Sequence, residues 1–231
     1  MLVIHFHLYF VTFYTARFAF YYPVCYILFV PTKERIEKVK KVLSLRQPDL
    51  RIVLEEVKNT HNASAVVRTC DAAGILYLDI ISSNQDPFPV NEAISTRAEK
   101  WIKFFYYTSA TDCLKKLKKK GYKIAATQLS EDSIPYEAMD YTRPVALVFG
   151  NEADGVSEEA LSLADYKIKI PMIGMAQSLN LSVSVGIILY EAMKQRQKKG
   201  FYKKRRLSEE EFKTYMEKWL DLSSKISSKN G

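Results

Sequence analysis

The stretch that decides the fold class is PVALVFGNEADGVSEEALSLADYKIKIPM, residues 144–172. Residues 144–150 and 166–172 are short runs of the kind that form strands, and each is followed by glycine, proline or polar residues. Between them Ser157 precedes two glutamates, which is the pattern of a helix N-terminus. Two strands joined through a helix predict a parallel β-α-β unit, and therefore an α/β fold.

The same alternation continues on both sides of this stretch. Further strands are predicted at 51–57, 75–81 and 122–129, and helices at 32–46, 63–73, 109–121, 179–198 and from Ser208 onward. We therefore expect an α/β protein with a mainly parallel sheet and helices on both faces, flanked by N- and C-terminal helices. The predicted segments are an atypical apolar extension at 1–30, an N-terminal helix at 31–49, the sheet domain at 50–198, and a basic linker with a last helix at 199–231.

The last helix carries an apolar stripe that must be buried somewhere. Ser208 and Glu211 form a capping box at its start. The stripe is predicted to pack either on the core or on a dimer partner, and it consists of Phe212, Tyr215, Met216, Trp219 and Leu220.

Residues 1–30 differ in composition from the rest of the chain. They are rich in Phe and Tyr, carry one formal charge, Arg17, and are long enough to span a bilayer. Arg17 in the middle and Pro23 disfavour a membrane span, and the basic start and cleavage site of a signal peptide are missing. Three interpretations stay open: an extension translated from a wrongly chosen start, a membrane-surface anchor, or a segment packed on the body.

The balance of charge favours a polyanionic partner. Lys and Arg number 34 against 26 acidic residues, which gives a formal net charge of +8 and a pI near 9.2. Residues 194–206, KQRQKKGFYKKRR, contain eight basic residues, no acidic residue and the aromatic pair Phe201–Tyr202. A run of charge is often only a solvated face, but its length, single sign and aromatic residues here favour contact with nucleic acid.

The cysteines and histidines predict neither a disulfide framework nor a metal site. Cys25, Cys70 and Cys113 lie far apart in sequence, and the three histidines have no partner at the usual spacing of zinc ligands. We expect no metal and a reducing, cytoplasmic environment.

Three polar clusters follow predicted strands, where open α/β sheets bind ligands. The first is N-T-H-N-A-S-A-V-V-R-T-C-D-A-A-G (59–74), the second is F-G-N-E-A-D-G-V-S (149–157), and the third is I-P-M-I-G-M-A-Q-S-L-N-L-S-V-S (170–184). Two glycines in the second cluster permit tight turns close to a ligand. A glycine-rich dinucleotide motif, a P-loop and a nucleophile elbow are all missing.

Together these three blocks resemble the SpoU/TrmH family of RNA ribose 2′-O-methyltransferases in the SPOUT superfamily, over residues 31–206. The resemblance implies a trefoil-knotted C-terminal half, S-adenosyl-L-methionine as cofactor, and a homodimer with its active sites at the subunit interface. Ser64, Gln177 and the lack of room before residue 50 for a larger RNA-binding domain make the branch that methylates the D-loop guanosine of tRNA (guanosine 18) the most similar. The partner implied is therefore tRNA.

The resemblance also assigns roles to individual residues. It implies a catalytic set of Asn62, Arg68, Glu152, Ser178 and Asn180. It implies cofactor contacts from Thr127, Gly150, Asn151, Glu152, Ile170, Met172 and Leu179. For RNA, the residues expected to bind are Arg68, Lys194, Arg196, Lys203, Lys204, Arg205 and Arg206.

The role of Arg68 stays open at this point. The family assigns it to activation of the hydroxyl, but a guanidinium is an awkward base, so we favour a clamp on the phosphate beside the target ribose. Spacing alone permits an ion pair with Asp71 equally well. The sequence departs from the family at two positions: Ala153 stands where Lys is common, and Lys194 where Arg is common. These departures affect details of how RNA is bound.

Other functions remain possible on the sequence alone. An enzyme of the same family acting on rRNA is the first alternative, and a non-catalytic RNA-binding module is the second. The joint presence of all five catalytic candidates argues against the second. A membrane-associated protein rests only on residues 1–30.

Overall fold

The computed structural model describes residues 31–85 and 87–220 of the chain. The expectations for residues 1–30 and for the end of the chain after residue 220 lie outside the described residues. From Thr32 onward the described residues belong to one compact unit.

Seven strands form a single sheet in the order β3-β2-β1-β6-β4-β7-β5. Each neighbouring pair of these strands is parallel, as the alternation of strands and helices predicted. The strands are β1 Leu50–Glu55, β2 Tyr77–Ile81, β3 Lys103–Tyr107, β4 Lys123–Thr127, β5 Ile134–Pro135, β6 Val145–Phe149 and β7 Tyr166–Lys169.

Helices cover both faces of this sheet. They are α1 Lys33–Ser44, α2 Thr60–Ala72, α3 Glu92–Ser95, α4 Ala110–Lys119, α5 Glu158–Leu163, α6 Leu181–Lys198 and α7 Glu209–Trp219, with short 3-10 helices at Ala98–Trp101 and Tyr136–Ala138. Successive residues of a strand point to opposite faces, so Ile52 and Leu54 of β1 enter the core with α2 and α6, whereas Val53 enters the core with α4 and α5. The prediction of an α/β protein with helices on both faces is confirmed.

The apolar stripe of α7 is buried within the chain. Trp219 lies edge-on to Trp101 with ring centroids 5.2 Å apart and also contacts Tyr215 at 6.3 Å. The cluster includes Val39 and Leu43 of α1, so the two terminal helices pack on each other and on the sheet. The predicted capping box is present, because Ser208 Oγ accepts from the Glu211 backbone N–H and the Glu211 carboxylate accepts from the Ser208 N–H.

Two helices begin at positions other than those predicted, and in both cases an asparagine decides where. Helix α2 begins at Thr60, before the apolar pattern starts, because Asn59 accepts the Asn62 N–H at 3.1 Å and caps the helix. Helix α6 begins at Leu181, because Asn180 caps it through the Ser182 N–H at 2.9 Å.

Strand β3 was not predicted. Its sequence, KFFYY, has no alternation of apolar and polar residues, and the strand lies partly exposed at the edge of the sheet. An edge strand contacts a neighbour on one side only, so its sequence is less constrained.

Among residues 31–85 and 87–220, none of the helices is both long enough and apolar enough to cross a membrane. The same part of the chain contains no cluster of three or more His, Cys, Asp or Glu side chains that could hold a metal ion.

Candidate active site

A cleft of about 630 Å³ opens at the carboxyl ends of β4, β6 and β7, and we refer to it as the main cleft. Three loops form its wall, at 127–129, 149–158 and 168–184. Every residue expected to contact the cofactor lines it, namely Thr127, Gly150, Asn151, Glu152, Ile170, Met172 and Leu179. The parallel sheet therefore gathers residues from two distant sequence motifs at one edge.

The loop after β6 folds back on itself through two glycines. A Cβ built on Gly150 would lie 1.7 Å from the Gly155 carbonyl oxygen, so no side chain fits at this position. Gly155 has φ of +72°, in the left-handed region that favours glycine. The Asn151 side-chain oxygen accepts from the N–H groups of Ala153 and Asp154, both at 2.8 Å. This compact turn presents Glu152 toward α2.

The far end of the same loop is fixed by Glu55, at the carboxyl end of β1. The buried Glu55 carboxylate accepts from the Ser157 N–H at 2.9 Å and from Ser157 Oγ at 2.6 Å. Ser157 in turn caps α5 by accepting from the Ala160 N–H. The strand, the loop and the helix are thereby tied together beside the main cleft.

Three of the catalytic candidates meet at the rim of the main cleft, and we call them the amide–carboxylate cluster: Asn62, Glu152 and Asn180. Asn62 Nδ2 donates to the Glu152 carboxylate, and Asn62 Oδ1 accepts from Asn180 Nδ2 at 2.9 Å. The Asn180 side-chain oxygen also accepts from the Ser182 N–H, which fixes the orientation of that amide. Because Asn62 is only 9% exposed, these hydrogen bonds compete little with water.

The other two catalytic candidates lie elsewhere. Ser178 lines the main cleft and is exposed, with no hydrogen bond from its side chain to any described residue. Arg68 lies on the exposed face of α2, outside the main cleft. Within the described part of the chain it forms no ion pair, since Asp71 is bound by the buried Arg46. The alternative of a structural Arg68–Asp71 pair is wrong.

Arg196 is not available to RNA, so its assignment as an RNA-binding residue is wrong. Its side chain is fully buried and binds Asp49 Oδ1 at 2.6 Å, Gln47 Oε1 at 3.1 Å and the Tyr141 carbonyl at 2.9 Å. It lies near the end of α6, where it joins the helix to the turn before β1. A buried guanidinium with this many acceptors has a structural role.

The aromatic pair of the basic run also packs against the body instead of facing solvent. Phe201 lies under the guanidinium of Arg206, 3.9 Å from its ring centroid, and Tyr202 donates to the Ala73 carbonyl at 3.0 Å. The aromatic pair therefore contributes to the packing of the chain, and the basic side chains are left as the part of the run that can contact nucleic acid. Arg206 itself pairs with Asp49 at 2.5 Å.

The remaining basic candidates differ in whether an acidic side chain of the protein already binds them. Lys194 pairs with Glu191 at 3.0 Å, and Arg205 pairs with Glu209 while lying 4.5 Å from the Phe212 ring centroid. Lys203 and Lys204 are exposed and form no ion pair with any described residue. Among the residues of this run that were expected to bind RNA, these two lysines are the best placed for phosphate contacts.

The carboxylate of Asp49 binds both Arg196 and Arg206. Burial raises the pKa of its carboxyl, but the charges and hydrogen bonds of Arg196 and Arg206 outweigh burial and hold the pKa below its ordinary value of 3.8. Asp49 therefore remains ionised at neutral pH and holds both arginines.

Several residues that line or support the main cleft are not among those expected from the sequence. Gln128 and Leu129 follow β4 and line the wall, and Glu158 lines it from the start of α5. The rule that ligands bind beyond the carboxyl ends of parallel strands could have indicated Gln128 and Leu129. Glu55 had no such signal, because one glutamate in a strand does not show which loop it binds.

Comparisons with known proteins agree with this geometry. The family model described as the SpoU rRNA Methylase family matches residues 49–190. The tRNA (guanosine(18)-2′-O)-methyltransferase of Aquifex aeolicus is 46% identical over 187 residues, covering 81% of this chain and 89% of that protein. The crystal structure of the A. aeolicus TrmH/SpoU tRNA-modifying enzyme superposes with a TM-score of 0.79 at 45% identity, covering 82% of this chain and 96% of that one. An S-adenosylmethionine-bound rRNA methyltransferase from Sinorhizobium meliloti gives a TM-score of 0.57 at 29% identity, covering 69% and 60% respectively.

Proposed function

This chain belongs to the SpoU rRNA methylase family, and we propose that it transfers the methyl group of S-adenosylmethionine to the ribose 2′-hydroxyl of guanosine 18 in tRNA. The observation that carries the proposal is the amide–carboxylate cluster at the rim of the main cleft. The cluster offers two amide groups and one carboxylate beside the proposed cofactor site, where the ribose 2′-hydroxyl has to be oriented for methyl transfer. The similarity to tRNA guanosine-18 methyltransferases supports tRNA over rRNA as the substrate.

The main cleft fits the methyl donor in shape and in charge. Apolar side chains of its wall, such as Leu129, Ile170 and Leu179, suit an adenine ring. The carboxylates of Glu152, Asp154 and Glu158 line the same cleft and suit the positive charges of the sulfonium and the amino group. The absence of a side chain at Gly150 lets the loop close tightly on Gly155, and this closed turn shapes the wall of the cleft. When bound, S-adenosylmethionine supplies an electrophilic methyl group, which needs no metal.

The amide–carboxylate cluster is suited to orient the ribose hydroxyl. Asn62 Oδ1 accepts one hydrogen bond from Asn180 and keeps a second lone pair, which can accept the hydrogen of the 2′-hydroxyl. Glu152 holds the Asn62 amide in the orientation that this requires. Holding a weak nucleophile in line with its electrophile is worth several orders of magnitude in rate.

Arg68 is suited to clamp the phosphate next to the target ribose. Its side chain is exposed on α2, one to two turns after Asn62, and the described residues offer it no carboxylate partner. A guanidinium binds two phosphate oxygens through parallel hydrogen bonds, which fixes the ribose that carries them. Before transfer the hydroxyl hydrogen is held by Asn62 Oδ1, and as the methyl group is transferred an oxygen of the clamped phosphate would accept that proton.

We also propose a homodimer in which each active site combines residues from both subunits. Arg68 lies outside the main cleft of its own chain, which supports a partner cleft as its place of action. Exposed apolar side chains near the cleft support the contact: Ile173 and Met175 are fully exposed, and Val183 and Tyr190 on α6 are 47% and 48% exposed.

Mixing two inactive variants tests the shared site. Arg68→Ala and Asn62→Ala are each expected to lose methyl transfer while binding S-adenosylmethionine normally. If one site uses Arg68 of one subunit and Asn62 of the other, random mixed dimers should regain about a quarter of wild-type activity. Mixtures that stay inactive, or an active monomer in sedimentation, would contradict the shared site.

The trefoil knot and the cellular location are further parts of the proposal. In the sheet β6 lies between β1 and β4, and β7 lies between β4 and β5, so each of these two strands inserts between strands that precede it in the chain. This order and the likeness to the A. aeolicus structure support a knot, which ordinary fold rules would exclude. A crystal structure that traces the chain through 123–198 tests it. A tRNA substrate and the buried free thiols of Cys70 and Cys113 support the cytoplasm.

A further inference from the structure

A second cleft, of about 250 Å³, lies at the carboxyl ends of β1 and β2. Its wall is mostly apolar and carries a few polar groups, as in sites for flat organic molecules. The described lining residues are Glu56, Val57, Lys58, Ile80, Ile81, Ser82, Pro87, Phe88 and Pro89. None of the expected site residues belongs to it.

The amide–carboxylate cluster lies between the two clefts. In the sheet, β2 and β1 are followed by β6, β4 and β7. Asn62 follows β1, at whose carboxyl end the second cleft lies, and Glu152 follows β6, at whose carboxyl end the main cleft lies. Their hydrogen bond therefore connects the two neighbouring regions of the sheet edge. Lys58 immediately precedes Asn59, the cap of α2, and Asn62 lies three residues beyond that cap, ~4.5 Å along the helix axis.

The walls of the second cleft are held in place by hydrogen bonds and packing. Glu56 Oε1 accepts the Ser83 N–H at 2.6 Å, and the Glu56 N–H donates to the Ile81 carbonyl at 2.9 Å. The Asn91 N–H donates to Ser64 Oγ of α2 at 2.9 Å, which anchors the segment that follows Phe88. The Phe88 ring packs on Phe104 with centroids 5.9 Å apart.

We propose that the second cleft receives the guanine base of the nucleotide whose ribose is methylated. The inference rests on the proposed function and adds the binding site for the base. A base in this cleft and a methyl donor in the main cleft place the connecting ribose at the amide–carboxylate cluster. Phe88 supplies an aromatic surface for the base, which favours any purine alike.

Lys58 gives the cleft its preference for guanine. It is exposed and is the only basic residue among the described residues that line the cleft. Its ammonium group donates to the O6 acceptor of guanine, which distinguishes guanine from adenine. Adenine carries an amino donor in place of O6, so it offers the ammonium group no acceptor at that position.

The test uses four tRNAs that differ only at the target base: guanine, hypoxanthine, 2-aminopurine and adenine. Hypoxanthine keeps O6 and lacks the 2-amino group, whereas 2-aminopurine has the reverse. We expect kcat/KM for the first two bases to exceed that for the last two by about 10- to 100-fold. The substitution Lys58→Met, which keeps most of the apolar stem and removes the ammonium group, should remove most of this difference by lowering the first two values.

Two further variants separate recognition from general effects. Phe88→Ala should lower kcat/KM on all four tRNAs by a similar factor, about tenfold or more. Lys100→Met, at an exposed lysine outside both clefts, should change neither the level nor the ratio. Thermal unfolding and S-adenosylmethionine affinity should match wild type for Lys58→Met.

The outcomes distinguish the base site from the function itself. If wild type methylates the guanosine tRNA and Lys58→Met keeps the full preference for O6, or loses activity equally on all four tRNAs, the base site is wrong and the function stands. If wild type methylates none of the four tRNAs while it binds S-adenosylmethionine, the proposed function fails first.

Discussion

Gly150→Ala is the substitution whose effect follows most directly from the structure. The added Cβ would lie 1.7 Å from the Gly155 oxygen and 2.3 Å from the Val156 nitrogen. Neither neighbour is the flexible end of a side chain, so the backbone turn must open by roughly 1.5 Å to restore ordinary contact. That movement breaks the Gly155 N–H bond to the Asn151 carbonyl and displaces Glu152.

The expected loss is large for function and small for the fold. An overpacked turn costs about 1–3 kcal/mol, which corresponds to roughly 5- to 150-fold weaker binding of S-adenosylmethionine if the ligand needs the closed turn. A displacement of about 1 Å in a catalytic group costs on the order of 100-fold in rate. Calorimetric titration with S-adenosylmethionine and steady-state methyl transfer to tRNA measure the two effects.

Gly174→Ala is the matched control. Gly174 lies in the loop at 168–184, which also borders the main cleft, and an added Cβ there meets nothing within 4 Å. It should bind S-adenosylmethionine and turn over like wild type. Wild-type affinity and rate in Gly150→Ala would refute the view that the closed turn forms the cofactor site.

Three further variants test the stability of the fold and the binding of RNA. Asp49→Asn leaves buried Arg196 without its carboxylate and should cost about 3 kcal/mol in urea unfolding at pH 7. Because the folded pKa of Asp49 lies below 3.8, this difference should persist above that pH and shrink as pH falls through the folded value; a constant difference down to pH 2 would contradict it. Lys203→Ala with Lys204→Ala should weaken tRNA binding and reduce its log–log salt slope by somewhat under two, whereas an unchanged slope would make these lysines a solvated face. Trp219→Ala should destabilise the fold by about 3–5 kcal/mol in the same urea assay, and a loss below 1 kcal/mol would contradict its burial.

Most of the fold could be predicted because local patterns and tertiary structure agree. The buried strand β6 is a short continuous apolar run, and Ser157 and Ser208 each accept a backbone N–H at a predicted helix start. The order of the strands could not be predicted, because parallel pairing joins residues far apart in sequence and leaves no local signal. The edge strand β3 was missed for lack of alternation.

Only the site residues that belong to recognisable motifs could be predicted. The motifs indicated Asn62, Glu152 and Asn180, and in the structure these three side chains are joined by hydrogen bonds. The sequence did not show which basic residues are free to bind RNA. Arg196 and Arg206 both form ion pairs with Asp49, which lies about 150 residues earlier in the chain. The second cleft had no motif, since its lining comes from the ends of two strands and a connecting segment.

The most direct test of the central claim is the position of the transferred methyl group. Purified protein is incubated with labelled S-adenosylmethionine and unmodified tRNA, and the labelled nucleotide is then mapped by nuclease digestion and mass spectrometry. We expect one labelled 2′-O-methylguanosine, at position 18, with no label in rRNA offered alongside and no label in either RNA when the variant is Asn62→Ala. Label in rRNA alone, on a base instead of a ribose, or undiminished in Asn62→Ala would contradict this expectation.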